Sequence, residues 1–341
     1  MVLKNKYPIC EFDTGKNPII QATNFLAKSL PEKCVVTFFR KELEQFVSEN
    51  NLPVIGYLNS EVLDIPIYEY GYGTDKLCIT MAFCGAPGAA VTIEELHAMG
   101  CEKFIICGGA GALTKDSKVG EIIIPVSAVR DEGTSYHYLE PSREVECHRE
   151  TIKTVVSCLE QMGIPFTTGK TWTSDAIYRE TPDMVELRRN EGCITVEMEA
   201  AAFFAVSQYY NIPLAQLLYA GDDVSGEEWD SRNWNTQKNI RYDLIISAIE
   251  IVTGDVLISF NRKLWRYPMK RESGIARCGL ACCLCIETVD GNGCGSNGCP
   301  DNDSWENKKC SIAKELTPCY KCEENCRKGL LNKIKRMMQS S

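Results

Sequence analysis

Apolar positions fall along the chain in two rhythms. Continuous apolar runs bounded by glycine or proline occur at Leu77–Cys84, within Glu102–Leu113, at Gly120–Val129 and at Pro213–Ala220. They have the length and flanks of buried strands. Other stretches space their apolar residues for a helix. Phe38–Val47 reads as amphipathic. Residues 145–162 carry Val145, Ile152, Val155, Val156 and Leu159 at helical intervals. Gly85-Ala-Pro-Gly88 ends the first strand and precedes a helix expected over Ala89–Met99, where Thr92 and Glu95 have capping-box spacing. Residues 236–254 read as a closing helix. Strands alternating with helices give an α/β domain over 1–254, followed by a basic linker at 255–277 containing Pro268.

Composition adds a compartment and excludes some partners. The 341 residues are 44% hydrophobic and 24% charged, as in soluble globular proteins. No apolar run reaches the length of a membrane span, and Met1–Pro8 lacks an apolar signal segment, so a cytoplasmic protein is expected. Residues 270–341 hold 12 Lys and Arg against 9 Asp and Glu; the rest holds 25 against 37. So acidic a body argues against nucleic acid as a partner. Ten of the 19 cysteines crowd into 278–326.

Three polar stretches carry candidate chemistry. Thr195-Val-Glu-Met-Glu-Ala-Ala-Ala-Phe-Phe204 sets two carboxylates and a thioether at the head of an apolar run. Buried carboxylates need hydrogen-bond partners. On one helix Glu197 and Glu199 would point to nearly opposite sides, so one of them at most would face a given pocket. A strand, the glycines Gly85 and Gly88, then a helix is an arrangement that aims backbone N–H groups at an anion. Asp222 and Asp223 follow the last buried strand, where α/β enzymes place active sites.

The Val-Glu-Met-Glu stretch resembles the motif of the nucleoside phosphorylase family, which includes purine and uridine phosphorylases and hydrolytic relatives. The similarity runs through roughly residues 20–254 in order and spacing. It implies a three-layer α/β core with a mixed, partly barrel-like sheet, assembled as a homo-oligomer. It also implies cleavage of a nucleoside's glycosidic bond by phosphate as co-substrate, giving free base and ribose 1-phosphate. By resemblance Glu199 holds the ribose hydroxyls, Met198 packs against the sugar with Glu197 beside it, and Gly85 and Gly88 line phosphate and ribose. Asp222 protonates the departing base, with Asp223 the near alternative. Trp172 and Tyr178 fall in the segment that supplies the base pocket, and His137 in a Tyr-His loop that approaches the sugar. The Asp points to purines and the Tyr-His loop to uridine, and both readings stay open. The chain departs from the family at Ile106, which stands where a phosphate-binding Arg is expected, and at Gly109, which replaces a hydroxyl residue. The Gly-Asp-Pro loop is absent. Arg40, Arg130 and Arg179 are the candidate replacements for phosphate binding. The alternatives are a hydrolytic nucleosidase and a nucleoside-sensing module without catalysis.

The remaining region, 278–341, contains Cys278, Cys282, Cys285, Cys294, Cys299, Cys310, Cys319, Cys322 and Cys326, with Cys283 adjoining. The C-x2-C and C-x3-C spacings and the lack of His suit an all-sulfur metal site in a small cysteine-rich domain. Zinc is expected there, with an iron–sulfur cluster as the alternative.

Overall fold

The computed structural model of the chain describes residues 2, 4–15 and 17–254. The linker 255–277 and the cysteine-rich region 278–341, with its nine candidate ligands and expected zinc, lie outside the described residues.

The strands are β1 (Lys33–Thr37), β2 (Val54–Asn59), β3 (Asp64–Tyr72), β4 (Asp75–Met81), β5 (Lys103–Ala112), β6 (Ile122–Asp131), β7 (Glu144–Glu146), β8 (Phe166–Ser174), β9 (Cys193–Glu197) and β10 (Leu214–Asp223). The α-helices are α1 (Arg40–Asn50), α2 (Gly85–Ala98), α3 (Arg149–Met162), α4 (Pro182–Asn190), α5 (Ala200–Tyr210) and α6 (Lys238–Thr253). All strands join one sheet in the order β10-β6-β8-β9-β5-β1-β4-β3-β2, with β7 on β6. A further pairing of β10 with β5 closes β5, β10, β6, β8 and β9 into a ring. The mixed, partly barrel-like sheet is therefore present: β5–β10, β6–β8 and β8–β9 are parallel, whereas β5–β9 and β6–β10 are antiparallel.

Local sequence explains the helix ends. α1 and α5 stop where Asn51 and Asn211 turn left-handed at φ 51° and 54°, and α3 stops at Gly163 with φ 67°. Asn and Gly tolerate that conformation best. α4 begins with Pro182, whose missing N–H has no intrahelical partner in a first turn. Every residue of α5 from Ala200 to Ser207 is buried. A helix apolar on all sides belongs inside a protein, and α5 packs on α2, where Ala86, Ala89 and Ala90 are also buried. Among the described residues no helix is long and apolar enough to cross a membrane.

Three local expectations change. α2 begins at Gly85, so Thr92 lies inside the helix and not at its cap. Its hydroxyl donates to the Gly88 carbonyl and accepts from the Phe83 N–H at 3.2 Å. Val145 belongs to β7, and the helix after it starts at Arg149. Glu197 ends a strand, and the helix begins only at Ala200. A three-residue corner at 197–199 therefore replaces the helical first turn that the acids suggested.

Candidate functional site

The corner gives the two carboxylates separate tasks. Glu197 Oε2 accepts the N–H groups of Glu199 and Ala200 at 2.8 and 2.7 Å, capping α5. Its Oε1 accepts the Thr173 hydroxyl at 2.7 Å, and that hydroxyl accepts the Ala201 N–H. Glu199 turns the other way. Its Oε1 accepts the Gly85 N–H at 2.8 Å, at the start of α2, and the Cys84 thiol at 3.7 Å. The Met198 N–H also acts on the Glu199 carboxylate. Burial, with Glu199 beside it, pushes the Glu197 carboxyl up to about 8, and burial raises Glu199 as well. Burial and Glu199 also raise the Cys84 thiol. A carboxylate set this way can accept two neighbouring hydroxyls, and Met198, partly buried between the acids, offers an apolar surface.

Gly85 holds φ 80°, a conformation open to glycine. Gly88 is glycine for packing: a Cβ there would lie 2.7 Å from the Phe83 Cβ and 2.9 Å from its backbone carbon. Its role in the structure is the seating of α2 on Phe83.

Pairing of β10, β5 and β9 brings the last acid to the same end of the ring. Gly111 of β5 pairs with Val196 of β9, and Asp223 of β10 with Ala112. A Cβ on Gly111 would lie 3.1 Å from Val196 and 3.6 Å from both Asp222 Oδ1 and Val224. Asp222 Oδ2 accepts the indole N–H of Trp229 at 2.7 Å. Asp223 is used locally, accepting the Ser225 N–H and pairing by backbone with Asp230. Glu180, between the 3-10 turn Ile177–Arg179 and α4, is a site residue that the sequence did not flag. Burial and the charge of Asp222 push it up to about 7. Its only signal in sequence was a lone acid after an aromatic turn.

The side from which a nucleophile would approach is built differently from the expectation. Ile106 is fully buried in the main core. A Cβ on Gly109 would meet the Tyr219 ring at 3.0 Å and its hydroxyl at 3.5 Å, so the ring fills the space of the expected hydroxyl side chain. The Tyr219 hydroxyl accepts Nε and Nη2 of Arg241, whose guanidinium stacks against Phe39, Tyr219 and Trp234. Glu42, in the first turn of α1, is 3% exposed and close enough to help raise the Tyr219 hydroxyl. Its carboxylate has no hydrogen-bond donor among the described residues.

The three arginines expected at phosphate stand in different settings. Arg130 is buried and donates to Ser135 Oγ, the Glu140 carbonyl, Ser142 Oγ and the Leu139 carbonyl, so its guanidinium is committed to folding its own loop. Arg40 is exposed and pairs with Glu44 at 3.5 Å, and Arg179 is exposed on the 3-10 turn. The base-stacking expectations also shift. Trp172 is 1% exposed in a small core cluster, its N–H on Asp131 and Arg188 over its ring. Tyr178 is 96% exposed. His137 is exposed and lines a separate apolar cavity of about 620 Å³ with Pro8, Ile9, Pro87, Val91 and Tyr138. The tyrosines beside it hold the loop: Tyr136 donates to the Arg130 carbonyl and Tyr138 to Glu94. Among the described residues no group of three or more His, Cys, Asp or Glu could hold a metal ion.

Known proteins resemble this chain in sequence and fold. Guanosine phosphorylase of Halorubrum lacusprofundi is 32% identical over 136 residues, covering 40% of this chain and 56% of that protein. Uridine phosphorylase of Thermococcus kodakarensis is 28% identical over 180 residues, 47% of this chain and 65% of that protein. Both matches span less than two thirds of the relative's length. The AMP nucleosidase of Bacteroides thetaiotaomicron shares the fold with a TM-score of 0.53 at 20% identity, over 66% of this chain and 89% of that one. The model of the phosphorylase superfamily matches residues 32–245, well over half of the chain, and with the closed ring of strands and the Glu197–Glu199 corner on its rim, the chain belongs to that superfamily.

Proposed function

We propose that the chain cleaves the N-glycosidic bond of a purine-type nucleoside with water as the attacking group. Oε2 of Glu199 accepts the ribose hydroxyls and Met198 packs on the sugar. Asp222 supplies a proton or hydrogen bond to the leaving base, whose departure from an oxocarbenium-like sugar is the costly step. The observation that carries the choice of water is that Ile106 is a buried core residue and the Tyr219 ring covers Gly109. A phosphate leaving water needs cations or N–H donors. Here the expected Arg is a buried Ile, a tyrosine ring fills the hydroxyl's place, and the guanidinium beside that ring, Arg241, is held by the Tyr219 hydroxyl and the Trp234 carbonyl, with the acid Glu42 near. Glu42, the acid near Tyr219, is the group assigned to take a proton from the attacking water.

Phosphorolysis is the second reading, favoured by relatives named guanosine and uridine phosphorylase. Product analysis on a panel of nucleosides, with and without phosphate, separates the two. Free ribose in both conditions supports hydrolysis. Ribose 1-phosphate formed only when phosphate is present replaces it with phosphorolysis. No cleavage of any nucleoside rejects both.

A further inference from the structure

Trp229 is 63% exposed, yet its indole nitrogen is bonded at 2.7 Å to the acid assigned to the leaving base. Leaving so much aromatic surface in water forgoes the burial that normally makes Trp stabilising. The loop that carries it is nevertheless held firmly. Asp223 and Asp230 exchange both backbone hydrogen bonds, at 2.8 and 3.0 Å. Arg232 donates to the Ser117 carbonyl at 2.7 Å and to the Asp222 carbonyl at 2.8 Å. Arg232 and Asn233 take φ 43° and 51°, a conformation unfavourable for residues other than glycine and tolerated best by Asn. The hydrogen bonds thus offset backbone strain at a turn whose product is an indole beside Asp222. Opposite the indole, Asp222 Oδ1 lies over Gly111, bounded by Val196 and Val224. Val196 and Val224 close over Gly111 and give the carboxyl an apolar flank, and the exposed indole on its other oxygen is the aromatic face left open to a flat heteroaromatic ring.

We propose that Trp229 is the positioning residue of the base subsite: its N–H fixes the Asp222 carboxyl with Oδ1 turned toward the base, and its indole covers the base. The inference rests on the cleavage reading above and adds the residue that aims the acid. It gives the base an aromatic face other than Trp172, which is buried in the core, and Tyr178, which stands in solvent.

The test compares Trp229→Phe with Trp229→Ala in the full chain, measuring kcat and KM on the best-cleaved nucleoside and Kd for its free base. Phe keeps a ring and loses the N–H, so kcat falls about tenfold while KM and Kd stay within about twofold. Ala loses both, so KM and Kd also rise about tenfold. A structural role would not separate the variants in this way. Because the side chain is largely exposed, both are expected to fold; if Ala does not, the Phe variant decides through its kcat. An active wild type with unchanged constants in both variants, or in a Phe variant standing alone, overturns the role of Trp229 and leaves the cleavage reading intact. A wild type that neither binds nor cleaves nucleosides overturns both.

Discussion

Glu197 and Glu199 stand two residues apart and serve two different helices. Glu197 accepts the N–H groups of Glu199 and Ala200 at the head of α5, while Glu199 reaches the N–H of Gly85 at the head of α2. Their removal should therefore have different consequences. Glu197→Ala orphans two backbone donors and the Thr173 hydroxyl, and should cost about 2 kcal/mol or more. In a domain of this size that lowers the melting temperature by about 4–8 °C. Glu199→Gln should leave the melting temperature nearly unchanged and lower kcat/KM about 10- to 100-fold, as expected for lost charge-assisted contacts to the ribose. Thermal melts beside steady-state kinetics check both. Equal loss of stability in the two variants would show that Glu199 is a second cap and not a sugar ligand.

Asp222 and Glu180 form a second pair of acids, and the pair makes a pH prediction. Burial and Asp222 lift Glu180 from 4.5 to about 7. Between those values this carboxyl binds more protons in the folded chain than in the unfolded one, so its contribution to stability falls as pH rises from about 4.5 to about 7 and then levels off, while Glu197, raised to about 8, carries the same sign further. Glu180→Gln should remove the Glu180 share of that slope. With allowance for partial exposure, it should raise the melting temperature at pH 8 by about 2–4 °C and leave it unchanged at pH 4.5. Asp222→Asn should bring the titration of Glu180 down, as followed by carboxyl NMR. It should also reduce kcat about 100-fold or more, with a small effect on KM, because a general acid acts in the transition state. Unchanged turnover removes Asp222 from the mechanism.

Much of this was readable before any coordinates, and the reasons are physical. The runs at Leu77, Phe104, Ile122 and Leu214 are strands because continuous apolar residues are buried on both faces of the sheet. The approximate place of α6 and the end-of-strand position of Asp222 followed from the same patterning. What sequence hid were the corners. Glu197 looked helical because acids suit helix N-termini, and it does serve one, but from the strand before it. Val145 fell in phase with α3 by coincidence, since β7 is three residues long and sets no period. Tyr219 could not be foreseen filling the space over Gly109, because that contact crosses between two strands 110 residues apart in sequence. Arg130 looked available because nothing in a sequence counts the carbonyls that a loop will turn toward a guanidinium.

Arg130 and Ile106 together predict that phosphate affinity is not stored where the family pattern would put it. Arg130→Lys keeps the charge but cannot reproduce four hydrogen bonds. It should destabilise the 135–142 loop by about 1–3 kcal/mol and leave any response to phosphate unaltered. Ile106→Arg should not create phosphate dependence. It buries an unpaired guanidinium in the core and should unfold the chain or cost about 4 kcal/mol or more. Urea melts and phosphate titrations distinguish these outcomes. A folded Ile106→Arg chain with new phosphate dependence would show that the Ile106 side chain reaches the substrate cavity.

Glu42 makes the sharpest case for water. It is 3% exposed and acts on Tyr219, whose hydroxyl lies 3.5 Å from where a Cβ on Gly109 would be. No described group donates to its carboxylate, which leaves its oxygens open to a water or a substrate hydroxyl. If the water is the attacking group, Glu42→Gln keeps the shape and removes the base. Hydrolysis should then fall about 100- to 10,000-fold with KM within a few-fold of wild type. Loss of the anion also makes the surroundings of Tyr219 less hostile to phosphate, so any phosphorolysis should be spared or increased in the same variant. Ribose release measured with and without phosphate in wild type and Glu42→Gln gives both results in one experiment. Hydrolysis undiminished in the variant would mean that the water is activated elsewhere and that Glu42 has no part in the attack.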